Sequence, residues 1–255
     1  MRKWILTLVA LTSAMLQSVA AETVRLCYDE EEVYPWRMTG KVGLDFVQLK
    51  QLERLTAVRL ELEPLPWKRC QHELKENRWD GAVAASFRPE RLEMGVYPMK
   101  DGKPDNNLRM RTESYSLFRL VGTTPSWDGK EFSGISGPIG AQLGYSVVEM
   151  LTSAKLQVDS GTRSADDNLR KLLAKRVVAV ALTTQEGEQS IEARNEFRGR
   201  IERVNPPLTE KAYFLIFSKD FYARNETLAK QLWNQLPAAR ESEDYKRAFA
   251  MFRQN

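Results

Sequence analysis

Residues 66–91 read PWKRCQHELKENRWDGAVAASFRPER. Two elements of opposite character meet here. The first part, opened by Pro66 and running from Trp67 to about Asn77, spaces its apolar residues as an amphipathic helix does. The second, Gly81 to Ala85, is an unbroken run of small apolar residues, the pattern of a parallel strand covered on both faces. Pro89 then stands where a proline starts a short helix. A helix followed at once by a doubly covered strand is the repeating unit of an α/β sheet with right-handed crossovers.

Upstream, the same rhythm holds. Thr23 to Tyr28 reads as a strand, followed by a loop rich in acids and aromatics, Asp29 to Met38. A helix is predicted from about Asp45 to Leu55, because Leu44, Val47, Leu52 and Leu55 fall on one stripe. Val58, Leu60 and Leu62 alternate with charged residues, a half-buried strand that Pro64 and Pro66 should end. Downstream the pattern restarts. Pro138 to Ala141 and Val177 to Leu182 read as strands, and Ser146 to Leu151 begins a helix. Ser164-Ala165-Asp166-Asp167 resembles a capping box before the helix carrying Leu169, Leu172 and Leu173.

Two strand-like segments, Tyr115 to Val121 and Lys211 to Ser218, flank the second unit. Helices at about Glu226 to Leu236 and Glu243 to Phe252 follow. Either two domains succeed one another with a helical tail, or the two segments lie side by side and the second unit is inserted into the first.

Met1-Arg2-Lys3, the apolar run Trp4 to Leu16 and the small residues Ser18 to Ala21 have the three parts of a secretory signal peptide. The run is shorter than the ~20 residues that span a bilayer. The predicted mature chain starts at Glu22 and is exported, long enough for two lobes of about 100 residues each. Of the formal charge of +4, Arg2 and Lys3 supply two, and the other bases are scattered among acids. Nucleic acid binding, which needs a basic patch or stripe, is disfavoured. An exported compartment is oxidising, so Cys27 and Cys70 either form a bridge worth up to ~4 kcal/mol or stay as two buried thiols; their Cα separation decides.

The stretch 66–91, with Gly43-Leu44-Asp45, Val121-Gly122 and Gly140-Ala141-Gln142-Leu143-Gly144-Tyr145-Ser146, resembles the extracellular solute-binding protein family 3, the amino-acid-type periplasmic binding proteins of ABC transporters. The resemblance covers essentially the whole mature chain. It implies a two-lobed periplasmic binding protein fold of type II, with two hinge strands and a ligand cleft between the lobes. It favours the inserted arrangement: signal peptide 1–21, lobe one 22–115 and 216–255, lobe two 116–215. It implies a periplasmic location, a small carboxylate-bearing ligand, and an inner-membrane ABC permease or a sensor receptor as partner. No cofactor or metal is implied, and a monomer is expected.

By position in that family, Ser86 and Arg91 would grip the ligand's carboxylate, as the guanidinium fork suits. Ser146, preceded by Tyr145, would contribute from lobe two, with Gln142 nearby. The aromatics Tyr28, Tyr34, Trp36 and Trp67 follow strands at the end where ligands bind in α/β sheets. This chain departs from the pattern at Thr183, which stands where amino-acid binders carry an ammonium-binding Asp. Glu186 or Asp29 would then supply the negative charge, or the ligand is not an α-amino acid. His72 is the only histidine, which speaks against Ser-His, Cys-His and zinc chemistry. A few relatives of the fold, the periplasmic cyclohexadienyl dehydratases, are enzymes, but no acid here has a spacing that marks it as catalytic.

Overall fold

A computed structural model describes residues 22–254. The expected signal peptide lies outside the described residues. The chain begins β1 (Thr23–Asp29), α1 (Leu44–Thr56), β2 (Arg59–Leu65), α2 (Trp67–Lys75) and β3 (Gly81–Ser86). A small hairpin of β4 (Met99–Lys100) and β5 (Lys103–Pro104) precedes the long strand β6 (Arg111–Leu120). A second hairpin, β7 (Ser126–Trp127) and β8 (Phe132–Ser133), leads into β9 (Ile139–Gln142), α3 (Val147–Ser153), β10 (Val158–Thr162) and α4 (Ala165–Leu173). Then come β11 (Ala179–Thr183), α5 (Thr184–Ala193), β12 (Ile201–Arg203) and β13 (Thr209–Phe217). Three helices, α6 (Lys219–Arg224), α7 (Glu226–Arg240) and α8 (Glu243–Gln254), complete the chain.

The main strands form one sheet in the order β10-β9-β11-β6-β13-β3-β1-β2, with β12 added on β6. Each end is a parallel trio: β1 lies between β2 and β3, and β9 between β10 and β11. The middle is antiparallel. β6 and β13 pair from Arg111↔Tyr213 to Tyr115↔Thr209 and join the two trios. Beyond that stretch they separate, β6 pairing β11 through Ser116–Phe118 and β13 pairing β3 through Phe214–Phe217.

The two crossing strands therefore lie side by side, as expected, but start earlier than the apolar pattern indicated. The section where they pair is 111–115 with 209–213, mostly ahead of the expected starts at Tyr115 and Lys211. Charged residues there, Arg111, Glu113, Glu210 and Lys211, hid the strands from a hydrophobicity reading. Two elements also run past a proline beyond their expected ends. β2 runs through Pro64 to Leu65; it is an edge strand paired only with β1, where a missing N–H need not break a ladder. α7 continues through Pro237 to Arg240, because Leu236 before the proline and Ala239 after it are fully buried and packing holds the last turn. The strand β10, with Asp159, Ser160 and Gly161, had no apolar signal. The N-cap expected at Ser164 is present, its Oγ accepting from Asp167 N at 3.1 Å.

Cys27 on β1 and Cys70 on α2 form a disulfide with Cα atoms 5.8 Å apart. Both are fully buried, and the bond pins α2 onto the sheet.

Candidate functional site

The carboxyl ends of β1, β3, β9 and β11 point toward one another across the β6–β13 crossing, and a small cavity of about 20 Å³ lies between them. That is room for little more than one water. Its wall includes Asp29, Arg37, Trp67, Ser86 and Arg91 from the first trio's side, and Tyr145, Ser146 and Thr183 from the other. Arg111, Glu113, Tyr115 and Tyr213 enter from the crossing strands. Arg111, Glu113 and Tyr115 are two residues apart, so they share one face of β6.

Ser86 ends β3, and Arg91 sits in the short 3-10 turn Pro89–Glu93 that follows. The Arg91 Nη1 donates to the Ser86 carbonyl and to its hydroxyl, both at 2.8 Å. Its Nη2 reaches across the cleft to the Gly144 carbonyl at 2.9 Å. Gly144 lies at φ +81° in the turn after β9, a conformation that suits glycine and turns this carbonyl toward Arg91. The Arg91 guanidinium is 5.7 Å from the centre of the Trp67 ring. β3 carries a register shift against β13, and Ala84 within it has φ +57°. Such a bulge beside a site re-aims its residues, and Val83 and Ala84 both face the cavity.

On the opposite wall, Tyr145 donates its hydroxyl to Asp29 Oδ2 at 2.7 Å, a second bond across the cleft. Ser146 is buried and lines the cavity, and its Oγ has no hydrogen-bond partner among the described residues. Thr183 donates to Glu186 Oε2 at 2.8 Å instead of facing the cavity with a free proton. Ion pairs from Arg88 to Glu149 and from Arg163 to Glu30 join the rims of the cleft.

Behind the cavity is a buried charge cluster. Asp45, one residue into α1, receives Arg111 at 2.8 Å and Arg37 at 3.3 Å. Arg37 also lies 3.8 Å from Asp29, and Arg111 lies 3.5 Å from Glu113. The Arg111 guanidinium is sandwiched between Trp36 and Tyr213, 4.5 and 4.8 Å from the ring centres. Gly43 makes this loop feasible: at φ +122°, a Cβ there would lie 2.4 Å from the Trp36 carbonyl. Burial pushes the carboxyls of Asp29 and Glu113 above their ordinary values, while Arg37 and Arg111 respectively pull them back. Glu186 is pushed up to about 8 by burial, against the hydrogen bonds from Thr183 and Gln142.

Of the residues expected from sequence, Arg91, Ser86, Ser146, Tyr145, Trp67 and Thr183 come together on the cavity. The other four lie elsewhere. Gln142 is fully buried and donates to Glu186 at 3.0 Å. Tyr28 packs edge-on against Phe46, since its side chain points to the α1 face of β1. Tyr34 donates to the Phe252 carbonyl at 2.6 Å and lies at the outer groove. Trp36 is buried with Val33 and Leu44, offering its face to Arg111 and not to the cavity. Sequence reasoning missed Arg37, Arg111, Glu113, Tyr115 and Tyr213. The available signal was the alternation Arg111-Glu113-Tyr115 just ahead of the apolar part of β6.

No family model matches this chain, and no curated protein matches it in sequence. Solved structures do match. The GluR0 ligand-binding core from Nostoc punctiforme, in complex with L-glutamate, aligns over 90% of this chain and 98% of its own at 15% identity, with a TM-score of 0.70. A histidine kinase sensor domain with similarity to periplasmic binding proteins aligns over 91% and 96% at 13% identity, TM-score 0.74. An arginine transport system periplasmic binding protein from Legionella pneumophila aligns over 91% and 100% at 13% identity, TM-score 0.71. The fold is the two-lobed α/β fold of the periplasmic binding proteins.

Proposed function

We propose that this chain is an exported solute-binding protein that closes two lobes, 22–115 with 216–255 and 116–215, over a small carboxylate-bearing molecule. The observation that carries the reading is the cavity between the parallel trios, where Arg91 and Ser86 on one wall face Tyr145 and Ser146 on the other. Arg91 already spans the cleft to a backbone carbonyl. A ligand carboxylate is a better partner for that fork than a neutral carbonyl, because both oxygens are charged. The unpartnered Ser146 hydroxyl offers a further donor.

At about 20 Å³ the closed cavity does not admit an organic acid, so binding requires the lobes to part about β6 and β13 and to close again on the ligand. The resemblance of the fold to amino-acid-binding proteins supports delivery of the ligand to an ABC permease. The sensor-domain neighbour supports the second reading, occupancy reported to a membrane receptor. Among the described residues no helix is long and apolar enough to cross a membrane.

The test is a thermal-shift screen of refolded, ligand-stripped protein against amino acids, organic acids and amines. A ligand at ~100 times its Kd stabilises by about 2.7 kcal/mol. Arg91→Ala is expected to weaken the best carboxylate by ~2–5 kcal/mol while the circular dichroism spectrum is retained. A screen in which only non-carboxylates shift the melt would remove the anion site from the proposal.

A further inference from the structure

Four carboxylates are buried around the cleft, and three have their hydrogen bonding taken up. Asp29 accepts from the Tyr145 hydroxyl at 2.7 Å and from Glu31 N at 3.3 Å. Asp45 holds Arg111 at 2.8 Å and Arg37 at 3.3 Å. Glu186 accepts from Gln142 at 3.0 Å on one oxygen and from Thr183 at 2.8 Å on the other. Glu113 differs. Neither of its oxygens accepts a well-formed hydrogen bond among the described residues, although it is only 4% exposed; the Thr183 hydroxyl, which donates to Glu186, adds only a weak pull on its carboxyl. Its one ion pair is a 3.5 Å approach from Arg111 Nη2, too loose to count as a hydrogen bond, while Arg111 Nη1 is held by Asp45 at 2.8 Å. Lys211 stands opposite it in the β6–β13 register, yet no ion pair joins them. A buried carboxylate this short of donors is expensive, and proteins keep such groups where something else supplies the missing ones.

Glu113 lines the same cavity as Arg91, Ser86 and Ser146. We propose that Glu113 is the cation-binding residue of this site, its carboxylate receiving the protonated primary amine of a ligand whose carboxylate lies on Arg91 and Ser86. This rests on the carboxylate reading above. It resolves the absence of an acid at position 183 in favour of neither Asp29 nor Glu186, whose oxygens are already engaged. Thr183 keeps a role: a hydroxyl that donates to Glu186 still has a lone pair to accept one ammonium proton. Because Glu113 lies on the strand pair that joins the lobes, it sits at the floor of the cleft and can select the amine before the lobes close.

The experiment is titration calorimetry on the refolded, ligand-stripped protein with the twenty L-amino acids, then with the 2-hydroxy acid matching each one that binds. The expected result is that the hydroxy acid binds at least ~100-fold more weakly than its amino acid. In Glu113→Gln that gap is expected to fall below ~10-fold through loss of amino-acid affinity, with the hydroxy acid unchanged. A gap that persists in Glu113→Gln overturns the proposal, and so does a wild-type protein that binds no amino acid or binds the hydroxy acids equally well. Glu113→Asp, which keeps the charge and withdraws it by one methylene, is the second variant should the first not fold. It is expected to weaken the amino acid alone, and unchanged affinity there also counts against the proposal. Arg91→Ala separates the two claims: loss of amino and hydroxy acid alike supports the carboxylate reading whatever Glu113 does. An Arg91→Ala variant that keeps both affinities sinks that reading and the proposal that rests on it, whereas a gap that persists in Glu113→Gln sinks the amine site alone.

Discussion

Glu186 shows how much a single buried acid can set. It is 4% exposed, hydrogen-bonded to Thr183 and Gln142, and pushed up to about 8 from an ordinary value of 4.5, chiefly by burial. Raising an acid's pKa on folding means that the folded state prefers the protonated form. Its contribution to stability is complete below about pH 4.5 and is lost as pH rises through about 8, a span worth roughly 5 kcal/mol. Glu186→Gln keeps the shape and removes the ionisation. Urea denaturation at pH 9 should find the variant more stable than wild type by a few kcal/mol, with the difference vanishing near pH 4. A variant no more stable at pH 9 would mean that the ionised carboxylate is tolerated here. Sequence pattern alone carried none of this. Arg91 and Ser86 were legible because a known motif places them, five residues apart, after an Asp-Gly strand. Arg111, Glu113 and Asp45 were not, because charges alternating on a strand read as a solvated face. Only the 66-residue separation of Arg111 and Asp45 closing in space reveals them as a buried pair.

At the level of elements, β1, α1, β3, β9, α4 and β11 followed from periodicity, since each buries an apolar stripe or run that its period exposes. The ends were set by context: β2 passes Pro64 because it is an edge, and α7 passes Pro237 because Leu236 and Ala239 are buried. β10 was invisible, because pairing with β9 and not apolar content makes it a strand. The most consequential link between elements is the bond from Cys27 on β1 to Cys70 on α2, which closes a loop of 43 residues. By the chain-entropy relation such a loop contributes about 4 kcal/mol, with measured values commonly 2–4. Cys27→Ala with Cys70→Ala should therefore lower the unfolding free energy by ~2–4 kcal/mol in denaturant titrations. Trp67, three residues from Cys70, opens the same helix and lines the cavity. Solute affinity of the double variant should consequently fall too, as the ring beside Arg91 loses its anchor. A double variant of unchanged stability would show that the unfolded chain is not restrained by this link.

For the molecule as a whole, the question is what holds the closed form together. Its cavity is nearly filled by its own side chains, and the lobes meet through Arg91 with the Gly144 carbonyl, Tyr145 with Asp29, and rim ion pairs. The rim pairs are exposed and contribute little. The Tyr145–Asp29 bond is buried and joins a hydroxyl to a charged acceptor, a type worth about 1.5–3 kcal/mol. That is comparable to the few kcal/mol that usually separate open and closed forms. Tyr145→Phe removes the bond with little change of shape, and parting the lobes lets water reach Asp29. The variant should thus populate the open form at least ~10-fold more without ligand, by the same arithmetic. Small-angle scattering would read this as a larger radius of gyration than wild type, reverting when a saturating ligand closes the cleft. Affinity should fall in step, because each binding event must then supply the closure energy that the hydroxyl supplied before. Equal radii for variant and wild type would show instead that Arg91 and the packing of the two walls hold the lobes shut. The clamp would then be governed by Arg91, the residue proposed to take the carboxylate, with binding and closure sharing one switch.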